Sequence, residues 1–361
     1  MLFFFSQVMI SISFVIPIYN VEQYVRRCLM SVMAQEEVFD GSLECIIVDD
    51  SSPDRSVDIV RDMISCYQGR IRFKLFEHGK NLGLSATRNT GLLNTTGDYV
   101  MFVDSDDYLM PNSLYYFVKY LNKYPDVDVV VGNVKNCKGG DLLIPHIREP
   151  WLINDNNVFV SRMFHHQIYL YAWNKLIKRD LLLSNHIMFE DGIIYEDQCW
   201  SYELFSHISS ILLLPQVTYV YENNPSSITN TTFTQEKAGH ALKSYTISIN
   251  KMLDNPPLPS RYTKNMTVDY LLFMANFLMN GVDVLFRSRL PRTLTSDFRK
   301  VRIRILLRSL RHGRIMLSCF FLLLFPPLCH LQKFRVFRHH YYDIESVVNR
   351  LCHLTDFLHR K

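Results

Sequence analysis

Tyr-Val-Met-Phe-Val-Asp-Ser-Asp-Asp, residues 99–107, is the stretch that decides the fold of this 361-residue chain. Its five leading residues predict a buried strand, and acidic residues follow that strand directly. Because side chains alternate along a strand, Asp104 and Asp106 should lie on one side, where two carboxylates can bind a hard divalent cation together with phosphate oxygens. The alternative is a turn that caps the next helix, since Asp and Ser are common in both places.

Two strand and helix units precede this stretch. Residues 12–17 predict a short buried strand that ends at Pro17, followed by a helix that Asn20 caps. Residues 44–49 predict a second buried strand that ends in acidic and hydroxyl side chains, and residues 56–67 predict the next helix. Because parallel strands end at one edge of a sheet, the polar residues that follow them should meet there. The sequence therefore predicts a parallel sheet with a site at its carboxyl edge.

A third strand, residues 71–76, leads into a segment with a glycine near each end, residues 81–91. This segment should begin a helix and bring Arg88 to the same edge of the sheet. Strands and helices alternate as far as residue 134. This alternation predicts a doubly wound α/β fold, with a mostly parallel sheet and helices on both faces.

These motifs, in this order, resemble those of the family 2 inverting glycosyltransferases with the GT-A fold. The matching residues are Phe-Val-Ile-Pro-Ile-Tyr-Asn at 14–20, Ile-Val-Asp-Asp-Ser-Ser at 47–52, Gly-Leu-Ser-Ala-Thr-Arg-Asn-Thr-Gly at 83–91 and Asp-Ser-Asp-Asp at 104–107. The resemblance implies a GT-A catalytic domain at residues 10–230, a divalent cofactor (Mn²⁺ or Mg²⁺) and a nucleotide-diphosphate sugar donor, with a UDP-sugar favoured. It also implies transfer of a hexosyl or N-acetylhexosaminyl unit to a glycan or lipid-linked acceptor in bacterial cell-surface polysaccharide synthesis.

The resemblance also assigns roles to single side chains. Asp106 is assigned to the metal, and Asp50 is expected to contact the nucleotide base. The residues assigned to the nucleotide sugar are Pro17, Tyr19, Asp50, Arg88 and Asp104. Within that set, the first two should line the nucleotide pocket and Arg88 should approach the donor.

An acidic pair in the second half of the chain completes the resemblance. Glu196-Asp197 ends a polar loop and opens a segment that predicts a helix. Asp197 resembles the catalytic base of the family, and Glu196 is a candidate contact for the acceptor. The alternative is that Asp197 only caps a helix over residues 198–207, which is a frequent role for Asp.

A further stretch, Trp173-Asn174-Lys175-Leu176, resembles one found in capsule and exopolysaccharide members of the family. Trp173 could offer a ring face to the acceptor sugar, although a Trp among Leu and Ile more often belongs to the core. The Gln-x-x-Arg-Trp motif of processive polysaccharide synthases does not occur in the sequence. Transfer of a single sugar is therefore expected.

Charge divides the chain into two unlike parts. Residues 1–230 carry 18 Lys and Arg against 27 Asp and Glu, whereas residues 231–361 carry 21 against 8. Residues 298–342 hold ten Lys or Arg and no acidic residue, and they enclose an apolar run at 315–329. Because this run is short and contains Pro326-Pro327, it should lie in the membrane surface rather than span the bilayer.

This pattern predicts a helical, basic C-terminal region, residues 231–361, that binds an anionic membrane surface. A buried helix of the C-terminal region is the alternative for the apolar run. Nucleic acid is not an expected partner, because no RNA- or DNA-binding motif accompanies the charge.

The cysteines and the first residues bear on location. Eight Cys are scattered without a Cys-x-x-Cys pair, which favours reduced thiols in the cytoplasm. Residues 1–8 are apolar but have no basic start and no cleavage site, so they do not predict a signal peptide, and Met9 is an alternative start. The expected location is cytoplasmic, peripheral at the inner face of the cytoplasmic membrane.

Two other functions stay open from the sequence alone. A nucleotidyltransferase would carry a glycine-rich loop with an early basic residue near the first strand, and this chain has Ile-Pro-Ile-Tyr-Asn at residues 16–20. A non-catalytic relative that binds nucleotide sugar, or scaffolds a polysaccharide assembly, would be favoured by loss of Asp106 or Asp197. Both residues are present.

Overall fold

The computed structural model describes residues 10–137, 147–154, 170–227, 234–254 and 288–310, and positions 281 and 284. The chain divides into two compact units, Met1–Thr232 and Phe233–Lys361. The first unit contains the sheet and every residue that the sequence assigns to catalysis or donor binding. The second unit is helical where it is described.

A nine-stranded sheet forms the core of the described part of the first unit. Its strands are β1 Ser11–Ile18, β2 Ser42–Asp49, β3 Arg72–Glu77, β4 Tyr99–Phe102, β5 Tyr108–Leu109, β6 Val129–Asn136, β7 Trp151–Ile153, β8 Lys175–Lys178 and β9 Ile211–Tyr221. Their order is β3-β2-β1-β4-β8-β6-β9-β5, and β7 pairs with β9. The four strands that carry the early motifs are all parallel, and β8 joins β4 in the antiparallel direction. This mixed, mostly parallel sheet confirms the predicted α/β fold.

Helices connect the strands. They are α1 Val25–Met33, α2 Ser56–Cys66, α3 Leu84–Leu93, α4 Ser113–Lys123, α5 Arg179–Ser184 and α6 Glu196–His207 in the first unit, and α7 Gln235–Asp254 and α8 Arg292–Leu310 in the second. In α1 the buried residues Val25, Leu29 and Val32 recur at helical spacing. Burial of this apolar stripe explains why the periodic segment folds as a helix.

Two predicted boundaries around the first loop are wrong. β1 continues through Pro17 to Ile18. The backbone nitrogen and carbonyl of Pro17 point toward β4, as those of Val15 do, and the pairing with β4 ends at Val15. The strand therefore tolerates Pro17, because no hydrogen-bond donor is needed at this position. The helix begins at Val25 and has no side-chain cap, so Asn20 does not cap it. The amide of Asn20 instead donates to Ser52 Oγ at 3.2 Å.

One buried carboxylate stabilises the amino end of the parallel strands. Glu44 in β2 is 2% exposed, and its carboxylate accepts hydrogen bonds from Ser13, Lys74 and both the amide and hydroxyl of Thr96. Burial opposes ionisation of Glu44, but these hydrogen bonds outweigh it and lower the pKa of Glu44 from 4.5 to about 2. The ionised form is therefore part of the folded state.

Glu44→Gln should destabilise the first unit by about 2–3 kcal/mol at pH 7, because a neutral amide cannot accept this set of hydrogen bonds. The pKa of folded Glu44 lies below its unfolded value, so the stabilisation is present above about pH 4.5 and is lost as the pH falls toward 2. Urea unfolding followed by tryptophan fluorescence measures the effect, since all three Trp residues lie in the first unit.

The matched control for this experiment is Glu77→Gln on the neighbouring β3, where the carboxylate is 43% exposed. It should change the free energy of unfolding by less than about 1 kcal/mol. Equal losses in the two variants, or a Glu44→Gln loss that does not shrink between pH 5 and pH 3, would contradict the assigned role of Glu44.

In the second unit, α7 and α8 pack against each other. Arg304 of α8 pairs with Asp254 of α7 at 2.5 Å, and Phe298, Val301 and Ile305 of α8 are buried. No helix among the described residues is long and apolar enough to cross a membrane. The apolar run at 315–329 and the basic residues after 310 lie outside the described residues.

Candidate active site

The predicted motifs converge at the carboxyl edge of the parallel strands. Residues 50–52 follow β2 and residues 104–107 follow β4, and both strands flank β1 in parallel. Gly83 has a φ of 91°, a left-handed conformation that glycine adopts without strain, and α3 begins at the next residue. Arg88 lies one turn into α3. The convergence follows from parallel strand direction, as the sequence predicts.

Arg88 is the centre of a cluster of three carboxylates. Its Nη2 donates to Asp104 Oδ1 at 2.7 Å, and its Nη1 donates to Glu196 Oε1 at 2.6 Å and to Asp197 Oδ1 at 2.9 Å. The Arg88 side chain is fully buried, and its guanidinium lies 5.2 Å from the ring centre of Phe189. One guanidinium thus joins the acidic motif after β4 to the acidic pair of α6. We call these four charged residues the Arg88 cluster.

The charges of the Arg88 cluster are unequal. Burial disfavours the charged guanidinium, but three carboxylates outweigh burial and hold the pKa of Arg88 above its ordinary value. Burial also raises the pKa of Asp197, with Glu196 and Asp104 adding to it and Arg88 opposing it, and the pKa of Asp197 is about 7. A carboxylate with a pKa near neutrality is suited to accept a proton at physiological pH.

The start of α6 bears on the alternative role of Asp197 as a helix cap. The N-cap is Tyr195, which makes no side-chain capping hydrogen bond, and α6 begins at Glu196 rather than at residue 198. Asp197 lies in the first turn, with its carboxylate on Arg88. Tyr195 has a φ of 63°, a left-handed conformation that is unusual for an aromatic residue and is found most often at functional sites. The capping interpretation of Asp197 is therefore wrong in this structure.

Glu196, the candidate acceptor contact, is 4% exposed and faces Arg88. Its carboxylate lies within the Arg88 cluster instead of at an open surface. An acceptor contact by Glu196 stays a prediction. In the structure the Glu196 carboxylate orients Arg88 by accepting its hydrogen bond.

The acidic motif after β4 is held from the loop that follows β9. Asp106 Oδ2 accepts a hydrogen bond from Asn224 Nδ2 at 2.9 Å, and Asp107 Oδ1 accepts one from the amide of Glu222 at 2.7 Å. Burial and the neighbouring Asp104 raise the pKa of Asp106, while burial, Asp106 and Asp104 raise that of Asp107. Like charges gathered in this way favour a bound cation.

The donor atoms of this motif fit a hard divalent ion. Among the described residues, hydrogen bonds engage one oxygen of Asp104 and one of Asp106 and leave the second oxygen of each carboxylate for a ligand. Mg²⁺ in nucleotide sites is commonly held by one or two carboxylates together with substrate phosphates. Groups of three or more His, Cys, Asp or Glu side chains that could hold a metal do not occur in the described part of the chain. Asp106 and Asp104 are therefore the pair of carboxylates that could bind such an ion together with a phosphate-bearing substrate.

Asp50 supports the loop that begins α3. Its Oδ1 accepts a hydrogen bond from the amide of Leu82 at 2.8 Å and lies 2.7 Å from His78 Nδ1, and its Oδ2 accepts one from the amide of Gly83 at 2.8 Å. Asp50 is 2% exposed. Contact of Asp50 with a nucleotide base stays a prediction, and the structure adds a loop-fixing role that the sequence did not show.

The remaining predicted site residues differ in access. Pro17 is buried within β1, whereas Tyr19, just after the strand, is 48% exposed. Trp173 is 3% exposed, and its ring is stacked between Tyr171 and Tyr219 with centroid distances of 4.7 Å on both sides. The packing alternative therefore describes Trp173 better than direct stacking on a sugar. Nucleotide contacts by Pro17 and Tyr19 stay predictions.

The sequence did not point to three residues that shape the site. Tyr219 Oη accepts a hydrogen bond from the amide of Asp104 at 3.1 Å, Asn224 binds Asp106, and Lys175 is fully buried in β8. They come from the sheet region beyond β4, which strand pairing brings to the motifs. The only local signal was the place of Lys175 in the Trp-Asn-Lys-Leu stretch.

Comparisons with known proteins agree with this fold. Residues 13–185 match the model of Glycosyl transferase family 2. The uncharacterized glycosyltransferase EpsJ of Bacillus subtilis is 28% identical over 243 residues, which are 66% of this chain and 68% of EpsJ. These matches confirm the resemblance found in the motifs.

Two solved structures share the fold. A crystal structure of S. aureus TarS 1-349 aligns with a TM-score of 0.64 at 19% identity, covering 86% of each chain, and the same TarS region has been solved with UDP-GlcNAc. The mannosyltransferase PcManGT from Pyrobaculum calidifontis, solved with GDP-Man and Mn²⁺, aligns with a TM-score of 0.51 at 15% identity and covers 89% of this chain and 87% of PcManGT. At these identities the likeness concerns the fold. Family match, motif order and fold together show that residues 13–185 are a glycosyl transferase family 2 domain and that the protein is a glycosyltransferase with the GT-A fold.

Proposed function

We propose that this protein is an inverting glycosyltransferase that moves one sugar from a nucleotide-diphosphate donor to a glycan or lipid-linked acceptor in cell-surface polysaccharide synthesis. The observation that carries the proposal is the Arg88 cluster. Its guanidinium binds Asp104, from the donor-side motif, and Asp197, the proposed base, at 2.7 and 2.9 Å. A donor and an acceptor bound on these two sides would meet beside one buried cation.

In the proposed reaction Asp197 removes the proton from the acceptor hydroxyl as that oxygen attacks the anomeric carbon. The new glycosidic bond forms while the bond to the diphosphate breaks on the opposite face, so the anomeric configuration inverts. The pKa of Asp197, about 7, lets its carboxylate be ionised before attack and take up the proton afterwards. Arg88 orients both carboxylates through its two Nη atoms.

The proposed cofactor is Mn²⁺ or Mg²⁺, held by Asp106 with Asp104 beside it. Such an ion would stabilise the negative charge that develops on the diphosphate leaving group. Two observations support it: the paired carboxylates with open oxygens, and the Mn²⁺ in the complex of PcManGT. Asn224 and Arg88 would keep the two carboxylates in place when the ion binds.

The donor proposal favours a UDP-sugar, since the fold neighbour TarS has been solved with UDP-GlcNAc. Hexosyl and N-acetylhexosaminyl units are the proposed sugars. A purely binding or scaffolding relative is less well supported, because Asp106 and Asp197 are both present, and Asp104, two residues before Asp106, shares the partner Arg88 with Asp197.

A donor screen tests this function. Release of nucleoside diphosphate from UDP-, GDP- and dTDP-sugars is measured with a membrane extract as acceptor, and Asp197→Asn protein is the control for contaminating hydrolases. We expect one sugar nucleotide to be consumed only with acceptor present and only by the unaltered protein. The anomeric configuration of the product, read by NMR, should be opposite to that of the donor. Retained configuration would contradict the inverting mechanism.

For location, we propose a cytoplasmic protein that binds the inner face of the membrane through its basic C-terminal region. The described α8 contributes Arg299, Lys300, Arg302 and Arg304, and further basic residues follow in the sequence. Each Lys or Arg near an anionic surface contributes about 1 kcal/mol of attraction. This placement would bring the site to lipid-linked acceptors.

The protein should therefore sediment with vesicles that contain anionic phospholipid and be released in part by high salt, because the screening length falls from about 8–10 Å at ordinary ionic strength to about 3 Å at 1 M salt. Deletion of residues 311–361 should weaken sedimentation. The deletion begins after α8 because Phe298, Val301 and Ile305 are buried. Vesicles of neutral lipid are the control. A full-length protein that ignores vesicles of every charge would exclude the membrane placement.

A further inference from the structure

Lys175 is a buried cation that the mechanism above does not use. It lies in β8, between β4 and β6, and its side chain is 0% exposed. Its Nζ donates a hydrogen bond to the backbone carbonyl of Tyr171, and the described residues supply no other bond to it. An ammonium group carries three donors, so burial against a single carbonyl is unfavourable unless negative charge lies nearby.

Two hydrogen bonds connect one short segment, residues 170–171, to Lys175 and to α6. The carbonyl of Tyr171 accepts from Lys175, and the adjacent carbonyl of Leu170 accepts from Ser201 Oγ at 2.7 Å. Ser201 follows Asp197 by one helical turn, so the two side chains share one face of α6. Lys175 and the face of α6 that carries the proposed base therefore bind adjacent carbonyls of the same segment.

Charged groups of both signs surround Asp197. Asp197 is faced by Arg88 from α3, by Glu196 from α6, by Asp104 after β4, by Tyr171 before β8 and by Lys175 from β8. Without Lys175, Arg88 would be the only cation of this group, together with the three carboxylates of Asp104, Glu196 and Asp197. Burial lowers the pKa of Lys175 to about 7, and the charge of Asp197 opposes this lowering. The two groups thus favour each other's ionised forms.

We propose that Lys175 is a positioning residue for sugar transfer, whose buried ammonium group supplies the second positive charge beside Asp197 and keeps the base carboxylate ionised. The inference rests on the proposed function in taking Asp197 as the base. Arg88 and Lys175 stabilise the ionised carboxylate in different ways. Arg88 donates a hydrogen bond to it, whereas Lys175 attracts it electrostatically without direct contact. A neutral side chain of similar length at position 175 would pack equally well but would leave the base harder to ionise.

The first test needs no substrate. Full-length protein is labelled with ¹³C at the Cε of lysine, and the Lys175 signal is identified by its loss in Lys175→Met, or in Lys175→Arg if the first variant does not fold. Its titration midpoint should lie two or more pH units below the ordinary lysine value of about 10.4. In Asp197→Asn the midpoint should fall further by about one pH unit, because the compensating carboxylate is gone. An ordinary midpoint, or one that Asp197→Asn leaves unchanged, would overturn the proposal.

The second test follows the pH dependence of transfer with the donor found in the screen. Removing the cation raises the pKa of Asp197, so in Lys175→Met the acidic limb of the kcat profile should move up by about one pH unit, with the donor KM unchanged. At pH 6 this shift corresponds to a loss of about tenfold in kcat. A merely structural role would lower kcat equally at every pH.

Lys178→Met is the matched control. Lys178 lies on the same strand, but its ammonium pairs with Asp128 at 3.1 Å and is 32% exposed, so its loss should leave the pH profile in place. A pH profile that does not move in Lys175→Met would overturn the proposal, even if Asp197→Asn lowers the titration midpoint of Lys175. Failure of the proposed function would give a different result. The Asp197→Asn variant would keep full activity, while its Lys175 titration midpoint would still be lower than in the unaltered protein.

Discussion

Asp197→Asn should lower the rate of sugar transfer by about two to four orders of magnitude, the usual contribution of a general base. The amide cannot take up a proton, but its carbonyl oxygen can still accept a hydrogen bond from Arg88 Nη1, which lies 2.9 Å from the carboxylate in the structure. Donor binding should therefore change little. Steady-state kinetics gives kcat, and calorimetry with the donor gives its Kd.

The control for this prediction is Asp191→Asn, on the exposed loop before α6, where the carboxylate contacts Asn89 at 3.3 Å. It should leave kcat within about a factor of three, as surface substitutions usually do. If Asp197 served only as an ion-pair partner of Arg88, then Asp197→Asn would reduce stability and leave the rate nearly unchanged. A near-normal rate would return Asp197 to that structural role.

Asp106→Ala should abolish transfer and the dependence of nucleotide binding on Mn²⁺ or Mg²⁺, with the fold intact. Asp106 lies beside Asp104, and burial together with that neighbouring charge raises its pKa, so the carboxylate is an electrostatic liability unless a cation is bound. Its removal relieves repulsion and should not lower thermal stability. Calorimetry of UDP binding with and without Mn²⁺, alongside the transfer assay, measures both effects.

Asp58→Ala is the matched control, since it removes an aspartate of α2 that is 59% exposed and lies outside the site motifs. It should leave the metal dependence and the rate unchanged. Full activity of Asp106→Ala in the presence of a chelator would exclude the metal assignment. Lost activity with unchanged Mn²⁺-dependent UDP binding would instead give Asp106 a role in orienting the donor sugar.

Much of the fold could be predicted because its signals are local. The apolar runs that became β1, β2 and β4, and the spacing of Val25, Leu29 and Val32 in α1, follow from burial of one face or stripe of each element. The acidic residues after β2 and β4 could be placed at one edge because parallel strands share a direction. The family resemblance followed from the same local motifs.

Boundaries and partners were less predictable. The sequence predicted that β1 ends at Pro17. In the structure the pairing of β1 with β4 ends at Val15, so the strand continues past Pro17 without loss of a hydrogen bond. Helix capping was the alternative to the predicted base role of Asp197, but its carboxylate instead binds Arg88, which lies 109 residues away in the sequence. Trp173 was considered as a sugar contact, yet its ring stacks on Tyr171 and on Tyr219 and the residue is 3% exposed.

The sequence by itself determined the α/β class, the acidic motifs at the strand ends, the glycosyltransferase family and the identity of Asp106 and Asp197 as candidate residues. Only the tertiary structure showed that Arg88 bonds both Asp104 and Asp197, and that Lys175, buried in β8, is one of the charged groups around Asp197. Hydrophobic periodicity is a property of neighbours in the chain, so it can be read locally. Charge partners instead depend on strand order and register, which set side chains together across long sequence separations.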